Sequence, residues 1–452
     1  MRFKFRPAHF WEHPTTLVIF SFALVDLTGA LLLLLPWMHT RSLSFLDALF
    51  TSTSAICVTG LTVVNTARAF TRLGQSVILL LIQLGGLGVM TFSILLTLGR
   101  GRGLTFKSRL FLQETFLAHE IGDLYALIMT IFTYTLLAEG IVAFFLFLVF
   151  IFRFPFGEAF YHAVFHSVSA FCNAGFSTFE AGLVPYQGSF FIPLIIMLAI
   201  LLGNTGFPVI YEIVEHLRGK KRNFSLHFKL TLLTHLLLVL GGTLGLALFE
   251  WHRAFLPLSP AKKVLAAFFH SVSARTAGFN TVDLAAFSEH GLYLLLLLMF
   301  IGACPGSTGG GIKTTTFAVI WAAALSRLKG YYRTVVFKRT IPDLQVSKAL
   351  VLFIVAITVI VIFHFLLTFS VPNLPFYRAH GEFLATLFET VSAFGTVGLS
   401  TGLTPKLGPL GKVVIIVCMF AGRVGLLSLV SVLAQVTRPR PYHYAPEEVM
   451  IG

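Results

Sequence analysis

The amino-acid sequence predicts an all-α integral membrane protein of four tandem helix–pore loop–helix repeats, with pseudo-fourfold symmetry around one pore. Two observations carry this. Hydrophobic residues make up 56% of the chain and charged residues 12%, and mean hydropathy is +0.86. A soluble domain carries about 25% charged residues. The second observation is an internal repeat, the first thing to seek in a long chain. One phrase, Phe then Ser-Ala then a short polar stretch closing on Gly and a hydrophobic residue, occurs four times.

The copies are FTSTSAICVTGL from Phe50, FHSVSAFCNAGF from Phe165, FHSVSARTAGF from Phe269 and FETVSAFGTVGL from Phe388. The third is one residue shorter between its Phe and its Gly. Each lies between two apolar stretches: 15–38 and 77–98, 124–152 and 190–214, 230–249 and 292–325, 349–369 and 413–436. Each stretch is long enough for a helix to cross a bilayer. The chain therefore divides into repeats 1–110, 111–222, 223–340 and 341–452, with pore loops at 45–62, 157–178, 261–281 and 381–402. The moderately apolar pieces 45–56, 157–171, 261–274 and 381–394 are too short to span. Each then breaks into a polar, Gly-containing segment, the pattern of a half-helix that descends and returns as extended backbone. Such backbone lies at membrane depth only where it is buried in protein or lines water.

Formal net charge is +14, from 33 Lys and Arg against 19 Asp and Glu. These cations fall in short runs between apolar stretches, as the positive-inside rule expects, and argue for no nucleic acid. Arg100, Arg102, Lys107 and Arg109 follow the second span of the first repeat. Arg218, Lys220, Lys221 and Arg222 follow that of the second. Arg327, Lys329, Arg333, Lys338 and Arg339 follow that of the third, and Arg438 and Arg440 that of the fourth. With Arg2, Lys4 and Arg6 they predict cytoplasmic termini, with the pore loops dipping in from outside. Cys57, Cys172, Cys304 and Cys418 suggest neither a disulfide framework nor a zinc site. No cleavable signal peptide is evident, and the apolar run after Pro14 reads as the first span.

A potassium filter replaces the ion's hydration shell with rings of backbone carbonyls. It needs four strands around one axis and residues that accept unusual dihedrals. One chain offers all four quadrants: Val58-Thr59-Gly60, Asn173-Ala174-Gly175, Thr276-Ala277-Gly278 and Thr396-Val397-Gly398. The bound ion expected at these carbonyls is K⁺. One such Gly reads as an ordinary turn, but four closing the same phrase do not. Four half-helices would aim their negative C-terminal ends at a cation.

On CVTGL at Cys57, FCNAGFST at Phe171, RTAGFNT at Arg275 and FGTVGLSTG at Phe394, the chain resembles the Ktr/Trk/HKT superfamily of potassium transporters along essentially its whole length. With no extra pair of spans before the first repeat, and with the ending PEEVMIG from Pro446, it is most similar to the Ktr membrane subunit. The resemblance implies a channel-like K⁺ uptake pore in a bacterial-type plasma membrane and a homodimer with one pore per protomer. It also implies a cytosolic nucleotide-binding (KtrA-like) regulatory ring on the basic inner face. No GxGxxG occurs in this chain, so ATP or ADP is expected on that partner. Gly60 stands where sodium-selective plant members carry Ser.

The second span of the third repeat is interrupted by GACPGSTGGGIKTT at 302–315, where Gly and Pro cannot continue a helix cheaply. A Walker A loop is the alternative, but Ile312 separates Gly311 from Lys313 and no strand precedes it. The resemblance implies an intramembrane gate below the filter, with Gly306, Gly309, Gly310 and Gly311 supplying mobility. Arg423 lies inside an apolar run, where an ionisable side chain marks a functional site by default. The resemblance makes it a barrier to cations, and Lys313 a similar one. Glu389 opens the fourth phrase and is expected to tune the outer mouth. Asp26 reads as a local hydrogen-bonding residue, while His166 and His270, at matched places, read as half-helix packing. Two other readings compete: a secondary K⁺/Na⁺ or K⁺/H⁺ transporter (a symport mechanism), which predicts inverted repeats, and an intramembrane enzyme, for which no catalytic constellation is visible.

Overall fold

The structure, a computed structural model, describes residues 14–88, 121–219, 223–370 and 381–424. The basic residues before 14, between 89 and 120, at 220–222 and after 424 lie outside them, as do the ending from Pro446 and the far ends of the spans 77–98 and 413–436.

Helix α1 (Pro14–Leu33) precedes the short helix α2 (Phe45–Ile56), and α3 (Arg72–Leu87) follows. The pattern continues with α4 (Ile121–Phe150), α5 (Phe156–Phe171), α6 (Phe191–Asn204) and α7 (Phe207–Leu217). Next come α8 (Leu226–Glu250), α9 (Pro260–Ser273), α10 (Glu289–Phe300) and α11 (Thr314–Leu328). A small hairpin, β1 (Thr334–Val336) with β2 (Arg339–Ile341), leads into α12 (Asp343–Thr368), α13 (Glu382–Phe394) and α14 (Pro409–Val424). The short helices α2, α5, α9 and α13 fall within a residue of the expected half-helices.

Ile128–Phe150, Leu226–Glu250 and Asp343–Thr368 are each long and apolar enough to cross a membrane. Large apolar side chains cover their outward faces, including Leu136, Leu137, Leu244, Leu248, Val361 and Phe365. In lipid such exposure is solvation by hydrocarbon rather than a defect. The core lies inward, between the short helices and their neighbours, and Phe50, Phe165, Phe269 and Phe388 that open the four phrases are all fully buried in it.

The stretch 190–214, expected to be one continuous helix, is two: α6 and α7 meet at 89°. The chain turns at Gly206 with φ 83°, and Pro208 follows in the first turn of α7, where it needs no donor. A Cβ at Gly206 would stand 2.5 Å from the carbonyl oxygen of Pro305, so the break accommodates a second irregular segment. That segment is 301–313, which divides α10 from α11 as the sequence indicated. It bridges back on itself between Ile301 and Ile312.

Candidate functional site

The short helices aim at a common centre because each phrase ends its helix at the same place. Helices α2, α5 and α13 stop two residues after the Ser of Ser-Ala, at Ile56, Phe171 and Phe394, and α9 stops at that Ser, Ser273. The next turn then enters the left-handed region at Val58 (φ 55°), Asn173 (62°), Thr276 (70°) and Thr396 (49°). Non-glycine residues are uncommon there. Thr59, Ala174, Ala277 and Val397 return to negative φ, and Gly60 (92°), Gly175 (70°), Gly278 (76°) and Gly398 (91°) reverse it again.

Backbone that alternates in hand turns its N–H groups to one side and its carbonyls to the other. The N–H side is anchored to the serines. Thr59 N donates to Ser54 O (2.8 Å) and Gly60 N to Ser54 Oγ (3.0 Å). Val397 N donates to Ser392 O (2.8 Å) and Gly398 N to Ser392 Oγ (3.1 Å). Ala174 N and Ala277 N reach Ser169 O (2.7 Å) and Ser273 O (2.9 Å), while Ser169 Oγ and Ser273 Oγ donate to Phe176 O and Phe279 O. None of the carbonyls of 58–60, 173–175, 276–278 and 396–398 accepts a hydrogen bond from any described residue. The buried hydroxyls of Thr59, Thr276 and Thr396 also lack a partner. Buried backbone carbonyls are nearly always paired, so this set of free oxygens is the chemical character of the site.

The four segments close on one another. A methyl group at Gly60 would strike the Ala174 carbonyl, and one at Gly175 would lie 3.0 Å from Ala277 O. One at Gly278 would strike Val397 O, and one at Gly398 would strike Thr59 O, returning to the start. Only glycine permits both this approach and these dihedrals. All twelve residues predicted for the site therefore stand in one circuit.

On one side of the circuit lies a cavity of about 190 Å³ lined by all four glycines together with Asn65, Ser177, Glu180, Asn280 and Ser400. Glu180 is bound at 2.5 Å to Arg68. The hydrogen bond and charge of that guanidinium hold its carboxyl below the usual carboxylate range. Glu389 is fully buried behind the same mouth, accepting from Ser400 Oγ (2.6 Å), Thr401 N (3.0 Å) and Thr404 Oγ1 (2.5 Å). His166 does the matching task in the second phrase, with Nε2 at 2.9 Å from Ser177 Oγ. His270 keeps its Nδ1 at 2.8 Å from Ala266 O. Asp26 accepts from Thr53 Oγ1 (2.7 Å) on α2.

On the other side the segment 302–315 presses against the circuit. A Cβ at Gly309 would strike Thr276 Oγ1, and one at Gly310 would strike Thr396 Oγ1. Gly311 (φ 69°) packs on Gly302 and Gly395. Gly306 stands apart from the circuit, against Pro208, and its carbonyl accepts from Phe207 N (2.8 Å). Thr308 Oγ1 receives Asn173 Nδ2 at 2.5 Å.

Three cations hold this segment. Lys313 Nζ donates to Gly309 O (2.6 Å), Arg423 donates to Thr308 O and Gly85 O, and Arg275 donates to Gly302 O (2.7 Å). Among the described residues no carboxylate hydrogen-bonds or ion-pairs with any of the three. Arg275, fully buried with Nε and one terminal nitrogen unpartnered, was not singled out from the sequence. The available signal was its place: it follows Ser-Ala where the other phrases put Ile56, Phe171 and Phe394.

Free carbonyls in a closed circuit, set between apolar spans and backed by buried Arg275 and part-buried Lys313 and Arg423, define a polytopic membrane protein. The chain belongs to the TrkH family of cation transport proteins, whose model matches residues 9–442. It is 38% identical to the Ktr system potassium uptake protein B of Bacillus subtilis over 441 residues, 97% of each chain. It is 37% identical to the potassium/sodium uptake protein NtpJ of Enterococcus hirae over 445 residues, again 97% of each. The crystal structure of the potassium transporter TrkH from Vibrio parahaemolyticus shares the fold, with a TM-score of 0.72 at 22% identity over 94% of this chain and 85% of that one.

Proposed function

We propose that the protein takes up K⁺ across the plasma membrane through a channel-like pore on a pseudo-fourfold axis. The four free-carbonyl segments are its selectivity filter. The observation that carries this reading is the circuit itself: N–H groups tied back to serine and carbonyls left unpaired. A dehydrated cation needs those oxygens, and an anion would be repelled. Several relatives are named as potassium uptake proteins, which supports K⁺ as the cargo.

Segment 302–315 acts as the gate, closing the passage where it meets Thr276 and Thr396. Lys313, Arg423 and Arg275 are its barrier, because a cation largely withdrawn from water and without a carboxylate raises the energy of a second cation nearby. The relatives' Ktr-system names support a multi-part assembly. In our reading it is a homodimer with a cytosolic nucleotide-binding ring, with both termini cytoplasmic and the 190 Å³ mouth outside.

The test is Rb⁺ uptake into proteoliposomes with K⁺ or Na⁺ as competitor, for wild type and Gly60→Ser. Strong K⁺ competition with weak Na⁺ competition is expected in the wild type, and loss of that preference in the variant. Uptake indifferent to which ion competes, or a preference untouched by Gly60→Ser in a folded protein, would reject the filter. Because one relative is named for potassium and sodium, the same assay run with and without Na⁺ decides whether sodium stimulates uptake.

A further inference from the structure

Among the described connections, the one between α11 and α12 is a β-hairpin. Thr334 pairs with Ile341 and Val336 with Arg339, leaving Phe337 and Lys338 as a two-residue turn with φ 50° and 60°. Positive φ at both positions is the type I′ pattern, which normally calls for Asn-Gly. Phe and Lys are strained there, and strain of this kind is kept where the displayed side chains have a use.

The display is basic and aromatic. Thr334 and Ile341 are buried and root the hairpin, while Lys329, Arg333, Lys338 and Arg339 are exposed. So are Tyr331, Tyr332 (90%), Phe337 and Leu328 (83%). Asp343 is the single acidic residue between 327 and 348, and it is already 3.9 Å from Arg327. Arg327 also ties the approach to the hairpin by donating to Tyr331 O and Tyr332 O. Geometry fixes the depth of this patch. It joins the end of α11 to the start of α12, a 26-residue span, so in a bilayer it is confined to the headgroup layer.

We propose that this hairpin is a binding surface for anionic phospholipid headgroups, with the aromatic rings in the interfacial layer and the four cations on lipid phosphates. Interfacial Tyr belongs at that depth, and juxtamembrane Lys and Arg attract anionic lipid. A soluble acidic partner would meet the same charges, but it would have no use for Leu328, Phe337 and Tyr332 at the level of the span ends. The proposal rests on the chain lying in a bilayer and not on which ion it carries.

The experiment titrates the purified full-length protein in mild detergent with phosphatidylglycerol or phosphatidylcholine, counting bound lipid by native mass spectrometry. The wild type should prefer phosphatidylglycerol. Each basic residue at an anionic surface changes affinity roughly five-fold, so Arg333→Gln/Lys338→Gln/Arg339→Gln should lower that preference by about ten-fold or more. Phe337→Asn/Lys338→Gly installs the residues the turn prefers. It should raise thermal stability while weakening the preference, which separates lost binding from lost folding. No preference in the wild type, or the same preference in the triple variant, overturns the proposal. So does capture of a cytosolic protein by the hairpin without lipid preference. Ion flux enters none of these readouts, so failure here leaves the transport reading standing, and the reverse.

Discussion

At the scale of single residues the circuit depends on side chains set behind its carbonyls. Ser54, Ser169, Ser273 and Ser392 hold the N–H edges, and His166 and Glu389 hold the first hydroxyl beyond their glycines. Glu389→Gln would keep one acceptor oxygen and turn a donor toward either Thr404 or the Ser400–Thr401 pair. Leaving such a group unsatisfied costs about 1–3 kcal/mol. We expect a lower Tm and a weaker preference for K⁺ over Na⁺ in competed Rb⁺ uptake; an unchanged Tm and preference would show that Glu389 does not position the mouth. The glycines and their phrase were legible in the sequence because a repeated word needs no alignment. The serine anchors were equally visible as letters, but their task depends on a reversal of backbone hand that letters do not display. Arg275 was passed over because one residue is missing from its phrase, which blurred the register that makes it stand out.

At the scale of elements, the spans beyond the second and third glycine segments do not run straight. Helix α6 gives way to α7 at Gly206, with φ 83°, and α10 gives way to 301–313; α3 ends at Leu87, before Gly88 with φ 81°. Gly203-x-x-Gly206 was a readable sign of the first break. Unbroken hydrophobicity across 190–214 concealed it, since hydropathy reports solvent and not helix continuity. The second break announced itself through Pro305 and its glycines. The break at Gly206 makes room for segment 302–315. The Arg423 guanidinium bridges Thr308 O in that segment and Gly85 O at the end of α3. A charge-assisted hydrogen bond contributes about 1.5–3 kcal/mol. Arg423→Gln, too short to keep both, should therefore raise Rb⁺ flux by roughly ten-fold. Flux at or below the wild-type level in a correctly inserted variant would mean that Arg423 does not restrain the gate.

For the whole molecule the net charge of +14 says little by itself, and its distribution says more. Buried Arg275 and part-buried Lys313 and Arg423 sit on the side of segment 302–315, whereas the cavity on the other side has Glu180 as the only charged residue in its lining. Arg68 neutralises that carboxylate across an exposed pair. Such pairs add little stability, yet they set the field that an arriving cation meets. Glu180→Gln should raise the half-saturating K⁺ concentration about two- to three-fold at low ionic strength, and Arg68→Gln should lower it. Both effects should fade in high salt. Shifts that ignore salt would place the effect in loop structure instead of charge. Because Arg68 holds the Glu180 carboxyl below its usual range, protonation as pH falls comes later than for a free glutamate, and with it the loss of this charge. Arg68 then remains as an uncompensated cation, so uptake should decline only under distinctly acid conditions.

The circuit is made of four different segments on one continuous chain. In a ring of identical subunits every substitution arrives fourfold, and a mild change becomes a drastic one. Here a mutation alters one quarter of the ring, and three neighbours keep their geometry. Selection can therefore adjust the geometry of the circuit in small steps. It can also place in a single quadrant something that four copies would forbid, and the lone guanidinium of Arg275 beneath the third glycine segment is such a feature.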